Sequence, residues 1–375
     1  MRGNVLRTSV VARATRPCER RLPHGRVARA TYSALVILLS SVAALAEVKW
    51  TQLSPLPDRE GFAGSFAGVT GGALIVAGGA NFPDKKPWEG GKKVWYDRVF
   101  VLDQPDGDWK RVGPLPRPLG YGMSVTYRDA LLCVGGSDVE RHYPDAFRIE
   151  KQGDKFVTTA LPALPKPIAN MCGALAGDRL LIAGGQETPN ATTALATLFE
   201  LDLSANKPAW RELKPCPADG RILAVAAVVG DDFYLIGGAS LSAGKDGKAE
   251  RRYLRDTWRY RAGEWERLPD LPHPVVAAPS PAPVDARGGI LILGGDDGSQ
   301  VGVTPPQGHK GFAKSILRFD VATSTWQEAG ETPAPRVTAP CARWNDTRVI
   351  PSGEALPGIR SPQVWSFTET EKGQH

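Results

Sequence analysis

The chain repeats one short pattern six times. The runs "ALIVAGG" (73–79), "ALLCVGG" (130–136), "RLLIAGG" (179–185), "DFYLIGG" (232–238), "GILILGG" (289–295) and "TRVIPSG" (347–353) align without gaps. Their last glycines, Gly79, Gly136, Gly185, Gly238, Gly295 and Gly353, stand 57, 49, 53, 57 and 58 residues apart. Each run is short and largely aliphatic, which predicts a buried strand. A closing glycine pair lets the chain leave that strand at a crowded place where a side chain would not fit. The sixth copy departs from the rule, with Ser352-Gly353 in place of the pair.

Other elements recur around each run. A second strand follows it, for example "DRVFVLD" (97–103), "TLFELDL" (197–203) and "SILRFDV" (315–321), with the alternation of a half-buried strand. A tryptophan segment comes next, as in "WKRVGPLP" (109–116), "WRELKPCP" (210–217) and "WERLPDLP" (265–272). Small-residue runs such as "ILAVAAVV" (222–229) then suit an inner strand crowded around an axis. Repeats of this length containing four strands predict an all-β, six-bladed β-propeller. The tryptophan copy "WTQLSPLP" (50–57) precedes every glycine run, and the last repeat has no tryptophan copy after it. The N-terminal strand is therefore expected to complete the sixth blade and close the ring, which leaves no long sheet edge bare.

The +6 net charge is misleading. Residues 1–46 hold eight arginines and one acid, Glu19, a net of +7, which leaves −1 for the rest of the chain. The basic balance therefore gives no support to nucleic-acid binding. The same segment has a basic start, the apolar run "YSALVILLSSVAALA" and a small-residue Ala44-Leu45-Ala46 end, the pattern of a secretory signal. The expected organisation is a leader over 1–46, a propeller over 47–368 and a tail over 369–375, with export to the periplasm and no membrane insertion after cleavage. Export permits disulfides. Cys133, Cys172, Cys216 and Cys341 have no close spacing, however, and Cys133 and Cys172 lie in apolar runs where free buried thiols are common. Neither a phosphate-binding glycine loop nor a zinc-type histidine or cysteine motif occurs.

In a propeller the loops carry function. Those that follow the glycine runs should open on one end of the channel, because each leaves an equivalent strand. They bring Asn81, Lys92, Arg141, His142, Glu187, Arg251, Arg252, Asp296, Asp297, His309 and Lys310 into the candidate set, of which Asn81, Arg141, Glu187, Arg252 and His309 are taken as substrate-binding. Glu354 and Arg360 flank the Pro357-Gly358 turn in the sixth loop. A turn there can fold both side chains toward one pocket. A positioned carboxylate can take a proton from a hydroxyl, and a guanidinium can hold a substrate carboxylate through two parallel bonds. A rim salt bridge that locks the last loop is the other reading of the same spacing.

The glycine pairs, the later tryptophans and the period resemble kelch repeats. "SGEALPGIR" (352–360) with "GGANFPDKKPWEGGKKVWYD" (78–97) resembles the N-acetylneuraminate epimerases, or sialic acid mutarotases, in their cyclically permuted branch. The resemblance implies an exported six-bladed propeller that interconverts the α and β anomers of sialic acid without a cofactor. It places the proton acceptor on Glu354 and the accompanying site arginine on Arg360. The implied partner is a small sugar acid. The group that serves the ring oxygen is not evident, and His309, Arg252 or water are candidates. A non-catalytic kelch module that binds a glycan or protein is the alternative from a different class.

Overall fold

The computed structural model describes residues 47–370, so the expected leader lies outside the described residues. Twenty-four strand positions in six sheets would make an ideal six-bladed propeller, and the chain fills nearly all of them. The first blade is built from Phe66–Thr70, Ala73–Ala77, Arg98–Leu102 and Lys110–Pro114, in that order from the axis outward. The second runs Met123–Tyr127, Ala130–Val134, Ala146–Gln152 and Lys155–Leu161. The third runs Cys172–Ala176, Arg179–Ala183, Leu198–Asp202 and Trp210–Leu213. The fourth runs Val225–Val229, Asp232–Ile236, Thr257–Arg261 and Glu264–Leu268.

The fifth blade departs from four strands. Its ladder has only Ile290–Gly295, Ala313–Asp320 and Thr325–Glu331. The inner segment touches it through Leu291 N–H on the Pro283 carbonyl, at 2.9 Å, and a bridge from Val284 to Ile290. Pro281 and Pro283 supply no N–H, so this segment cannot sustain a ladder.

The sixth blade mixes the two ends of the chain, as expected. Ala342–Trp344, Thr347–Pro351 and Val364–Thr370 come from the C-terminal part, and Glu47–Leu53 is the outer strand. Trp50 lies opposite Phe367 in the register, with ring centroids 4.7 Å apart.

The core lies between blades rather than in one centre. Leu131, Cys133 and Phe147 pack on Phe66, Ile75 and Val99 between the first two blades. Leu53, Leu74, Phe100, Trp344 and Val364 do the same where the sixth blade meets the first. Outer-strand tryptophans stitch the rim. The indole N–H of Trp109 donates to the Ser54 carbonyl, Trp210 to Pro162, Trp265 to Lys214 and Trp326 to Pro269, at 2.7–3.0 Å. Each bond joins a tryptophan to the Leu-Pro-like segment of the preceding blade, which explains why the two recur together. Among the described residues, Cys133, Cys172, Cys216 and Cys341 are free and buried. Burial pushes the thiols of Cys172 and Cys341 up to about 12, so both are protonated at neutral pH.

A closed circle of backbone hydrogen bonds surrounds the axis. Gly64, Tyr121, Asn170, Leu223, Ala277 and Thr338 each precede the inner segment of a blade, and all have φ between 51° and 65°. Each N–H donates to the carbonyl of the equivalent residue one blade back, from Tyr121 on Gly64 round to Gly64 on Thr338, at 2.7–2.8 Å. Left-handed backbone at a residue with a Cβ costs on the order of 1–3 kcal/mol, so five such residues persist only because the ring over-determines them.

The glycine pairs serve the same joints. In five blades the second glycine's N–H crosses to the next blade: Gly79 to Leu119, Gly136 to Ile168, Gly185 to Arg221, Gly238 to Val275 and Gly353 to Phe62, all at 2.8 Å. The first glycine sits under the same carbonyl. At Gly78, φ is 63° and a Cβ would lie 2.2 Å from the Leu119 oxygen.

Candidate functional site

Ser352 shows how the sixth repeat breaks the rule and still closes. It keeps the left-handed turn, with φ at 64°, and is fully buried. Its hydroxyl accepts from Phe62 N–H at 2.7 Å and lies within hydrogen-bond reach of the carbonyl oxygens of Phe62 and Ser361 at 2.9 and 2.7 Å. Where the other blades remove the side chain, this one binds it to the neighbouring blade and to the end of its own loop.

That loop is a small hairpin. Glu354–Leu356 pairs with Ile359–Arg360, and Glu354 lies directly opposite Arg360. Residues directly opposite in a ladder project on the same face, so the register brings the carboxylate and guanidinium together. Gly358 closes the turn at φ 78°. A Cβ there would strike Pro87 at 2.8 Å and Trp88 at 3.1 Å, so this glycine seats the sixth loop against the first-blade loop.

Glu354 Oε1 accepts from Gly358 N–H at 2.6 Å and from Arg360 Nη1 at 3.2 Å. Oε2 receives no hydrogen bond from a described residue, and the carboxylate side chain is 17% exposed. Arg360 is 3% exposed. Its Nη2 reaches the Tyr121 hydroxyl at 3.4 Å, its plane lies 4.8 Å from the Phe82 ring centre, and Nε has no partner. Burial opposes the Arg360 charge, but Glu354 and Tyr121 outweigh it and hold its pKa above the ordinary guanidinium value.

These groups line a cavity of about 430 Å³ at one end of the channel. The first-blade loop contributes Phe82, Pro87, Lys93 and Trp95. The second contributes Ser137, Asp138, Val139 and His142, the third Gln186 and Pro189, and the fourth Arg251. Tyr121, Asn170, Leu223 and Thr338, members of the backbone ring, form its floor with Glu354, Gly358 and Arg360 at one side. The volume suits a single small ligand.

Lys93, Asp138 and His142 add to the chemistry of Glu354 and Arg360. Lys93 Nζ lies 5.0 Å from the Tyr121 ring centre, 5.3 Å from Trp95 and 6.0 Å from Phe82. It forms no ion pair among the described residues, so its charge is available to an anion. His142 is buried, and burial lowers its pKa despite the Gln186 carbonyl and Asp138 acting the other way. Its Nδ1 lies 2.9 Å from the Gln186 carbonyl, which makes Nδ1 the protonated nitrogen and leaves Nε2 an acceptor. Asp138 stays ionised: its burial is outweighed by the Tyr143 hydroxyl and the N–H groups of Arg141 and Glu140.

The remaining candidates lie outside this lining. Asn81 is buried and fully engaged, donating to Asp58 and the Gly61 carbonyl and accepting from Tyr96. Arg141 is exposed, with its guanidinium on the Tyr143 ring. Glu187 pairs with Lys166 at 2.9 Å. Arg252 is exposed and pairs with Asp219. His309 belongs to the fifth loop, which adds nothing to the lining; its Nδ1 accepts from Gly311 N–H at 3.0 Å. Lys93, Tyr121, Asn170 and Gln186 line the cavity although no motif in the sequence marks them. Lys93 lines the cavity where Lys92 was expected, because residues leading into the strand that pairs with Ala80-Asn81 alternate between faces. Among the described residues no group of three or more His, Cys, Asp or Glu side chains is placed to hold a metal ion.

The N-acetylneuraminate epimerase family model matches residues 39–158. That range contains Phe82, Lys93, Trp95, Tyr121 and His142 but not Glu354 or Arg360. The N-acetylneuraminate epimerase of Salmonella arizonae is 41% identical over 105 residues, covering 25% of this chain and 27% of that protein. That of Pasteurella multocida is 39% identical over 106 residues, 24% and 28% of the two chains. The chain thus spans about a quarter of the length of the curated relatives it matches. A solved structure of YjhT superposes with a TM-score of 0.61 at 15% identity, over 75% of this chain and 88% of that one, a likeness of fold.

Proposed function

We propose that this propeller is a sugar isomerase that speeds exchange between the α and β anomers of N-acetylneuraminate. The observation that carries the reading is the free Oε2 of Glu354, an ionisable acceptor held at the cavity wall by two donors on its other oxygen. Mutarotation requires a proton to leave the anomeric hydroxyl and another to reach the ring oxygen. In this reading Glu354 takes the first. Arg360 is too enclosed to act as an open fork for a substrate carboxylate, since one nitrogen is on Glu354, another on Tyr121 and its face on Phe82. It positions the base. Lys93, without a protein counter-ion, holds the substrate's carboxylate, and the rings of Phe82, Trp95 and Tyr121 offer the pyranose an apolar wall.

The similarity to N-acetylneuraminate epimerases over residues 39–158 supports the choice of sugar. The basic, then apolar, segment before residue 47 supports export to the periplasm. The test is anomer exchange of N-acetylneuraminate followed by NMR magnetisation transfer with the purified protein. Faster exchange than in buffer is expected, and equal rates would sink the proposal. A binding-only module would give saturable ligand contact with no change in exchange.

A further inference from the structure

The base alone does not open a pyranose ring. As the anomeric O–H bond breaks and its electrons form the new carbonyl, the bond from the anomeric carbon to the ring oxygen breaks, and that oxygen needs a proton. His309 and Arg252 both lie outside the cavity lining. Neutral His142 presents its Nε2 lone pair and has its one N–H committed to Gln186. One O–H group on the floor is left in contact with the Glu354 system.

We propose that Tyr121 is the general acid of this site, its phenolic proton passing to the ring oxygen while Glu354 takes the proton of the anomeric hydroxyl; this rests on the isomerase reading given above. Three independent features place it. The Tyr121 oxygen accepts from Arg360 Nη2, and the same guanidinium holds Glu354 through Nη1, so base and acid sit on the two arms of one planar group. The reaction needs its base and its acid close together, since the anomeric hydroxyl and the ring oxygen are attached to one carbon. Second, the hydroxyl donates to no described residue, so its proton is uncommitted. Third, Tyr121 has φ at 60°, a conformation rare for a bulky side chain. The backbone ring imposes it, with Tyr121 N–H on Gly64 and its carbonyl accepting from Asn170. The Tyr121 side chain lines the cavity, and Trp95 packs edge-on against it with ring centroids 6.2 Å apart.

The steps balance. Glu354 becomes the carboxylic acid and Tyr121 the phenolate, whose negative charge is met by Arg360. The open-chain ketone turns about the bond to its carbonyl carbon. On reclosure the sugar hydroxyl returns its proton to Tyr121 as it attacks the carbonyl, and Glu354 protonates the new anomeric oxygen. Both residues end as they began.

The test uses the full chain carrying Tyr121→Phe, which keeps the ring and its packing. Exchange at saturating N-acetylneuraminate should fall by about 10²–10⁴-fold with KM within about threefold of the parent protein. In the parent, the rate should decline on the basic side of its pH profile, and 3-fluorotyrosine placed at position 121, a more acidic phenol, should move that decline to lower pH. A structural hydroxyl would not move it. Anomer exchange by Tyr121→Phe within about threefold of the parent, or a basic limb unmoved by fluorination, would overturn the assignment. Absence of exchange in the parent protein would instead remove the isomerase reading, and the acid with it.

Discussion

Val337 and Glu354 exchange both of their backbone hydrogen bonds, Val337 N–H on Glu354 O at 3.0 Å and Glu354 N–H on Val337 O at 2.9 Å. Val337 directly precedes Thr338, a member of the axial ring. The same bridge joins Ala63 to Ala80, Gly120 to Ser137, Ala169 to Gln186, Ile222 to Ala239 and Val276 to Asp296. Every blade therefore presents the residue after its glycine step at one level beside the axis. The repeat fixes that level, and the sixth blade places a glutamate on it.

Replacing Glu354 by Gln should lower the exchange rate at least about 100-fold, because the amide cannot take the proton. It also leaves the buried Arg360 charge without its counter-ion, so some stability should be lost. Glu354→Asp keeps the charge but withdraws the carboxylate by one methylene. It should melt closer to the parent protein and still be slow. NMR exchange rates beside thermal melts separate the two effects. An aspartate variant with parental rate would show that reach is not what matters.

Lys93→Met keeps the long apolar stem in the aromatic setting and removes the charge. KM for N-acetylneuraminate should rise by about 10–100-fold, the worth of one charged hydrogen bond, with kcat changed little. Added salt should raise KM in the parent and have less effect in the variant. Equal salt dependence in both proteins would assign the carboxylate to another cation.

Ser352→Gly restores the residue used in the other blades and yet should destabilise the protein by about 1–3 kcal/mol, read by urea denaturation. Glycine relaxes the left-handed turn at φ 64° but leaves Phe62 N–H without its hydroxyl acceptor. Ser352→Ala loses the same bond and keeps the backbone strain, so it should be the weaker of the two. A glycine variant as stable as the parent would mean that the hydroxyl network contributes nothing.

His142 confers a pH dependence on stability. Its folded pKa lies below the ordinary histidine value because burial disfavours the charged ring. Between that lowered value and the unfolded value of about 6.5 the unfolded chain binds more protons, so stability falls as pH falls through this window and is intact above it. His142→Asn supplies an N–H in place of Nδ1 for the Gln186 carbonyl and cannot titrate. Melting temperatures of parent and variant should converge above this window and the parent should lose more below it. Parallel curves would place the titration elsewhere.

The repeat was legible because its physical causes are local. Strand periodicity, glycines at crowded turns and tryptophans facing Leu-Pro segments are each encoded within a few residues, and their recurrence gives six blades and a closing N-terminal strand. The pairing of Glu354 with Arg360 was legible for the same reason, since a Pro-Gly turn between them makes them neighbours across a hairpin. The missing inner strand of the fifth blade could also have been read, from Pro281 and Pro283.

The cavity floor was decided only by the closed ring. Gly64, Tyr121, Asn170, Leu223, Ala277 and Thr338 share one backbone conformation and no side-chain character, because it is hydrogen bonds from neighbouring blades that impose φ there. No local signal marks Tyr121 as the residue that meets Arg360, 239 positions away in the chain. Sequence dictates what each segment prefers; which preferences are overridden, and which distant side chains then meet, is settled when the last blade joins the first.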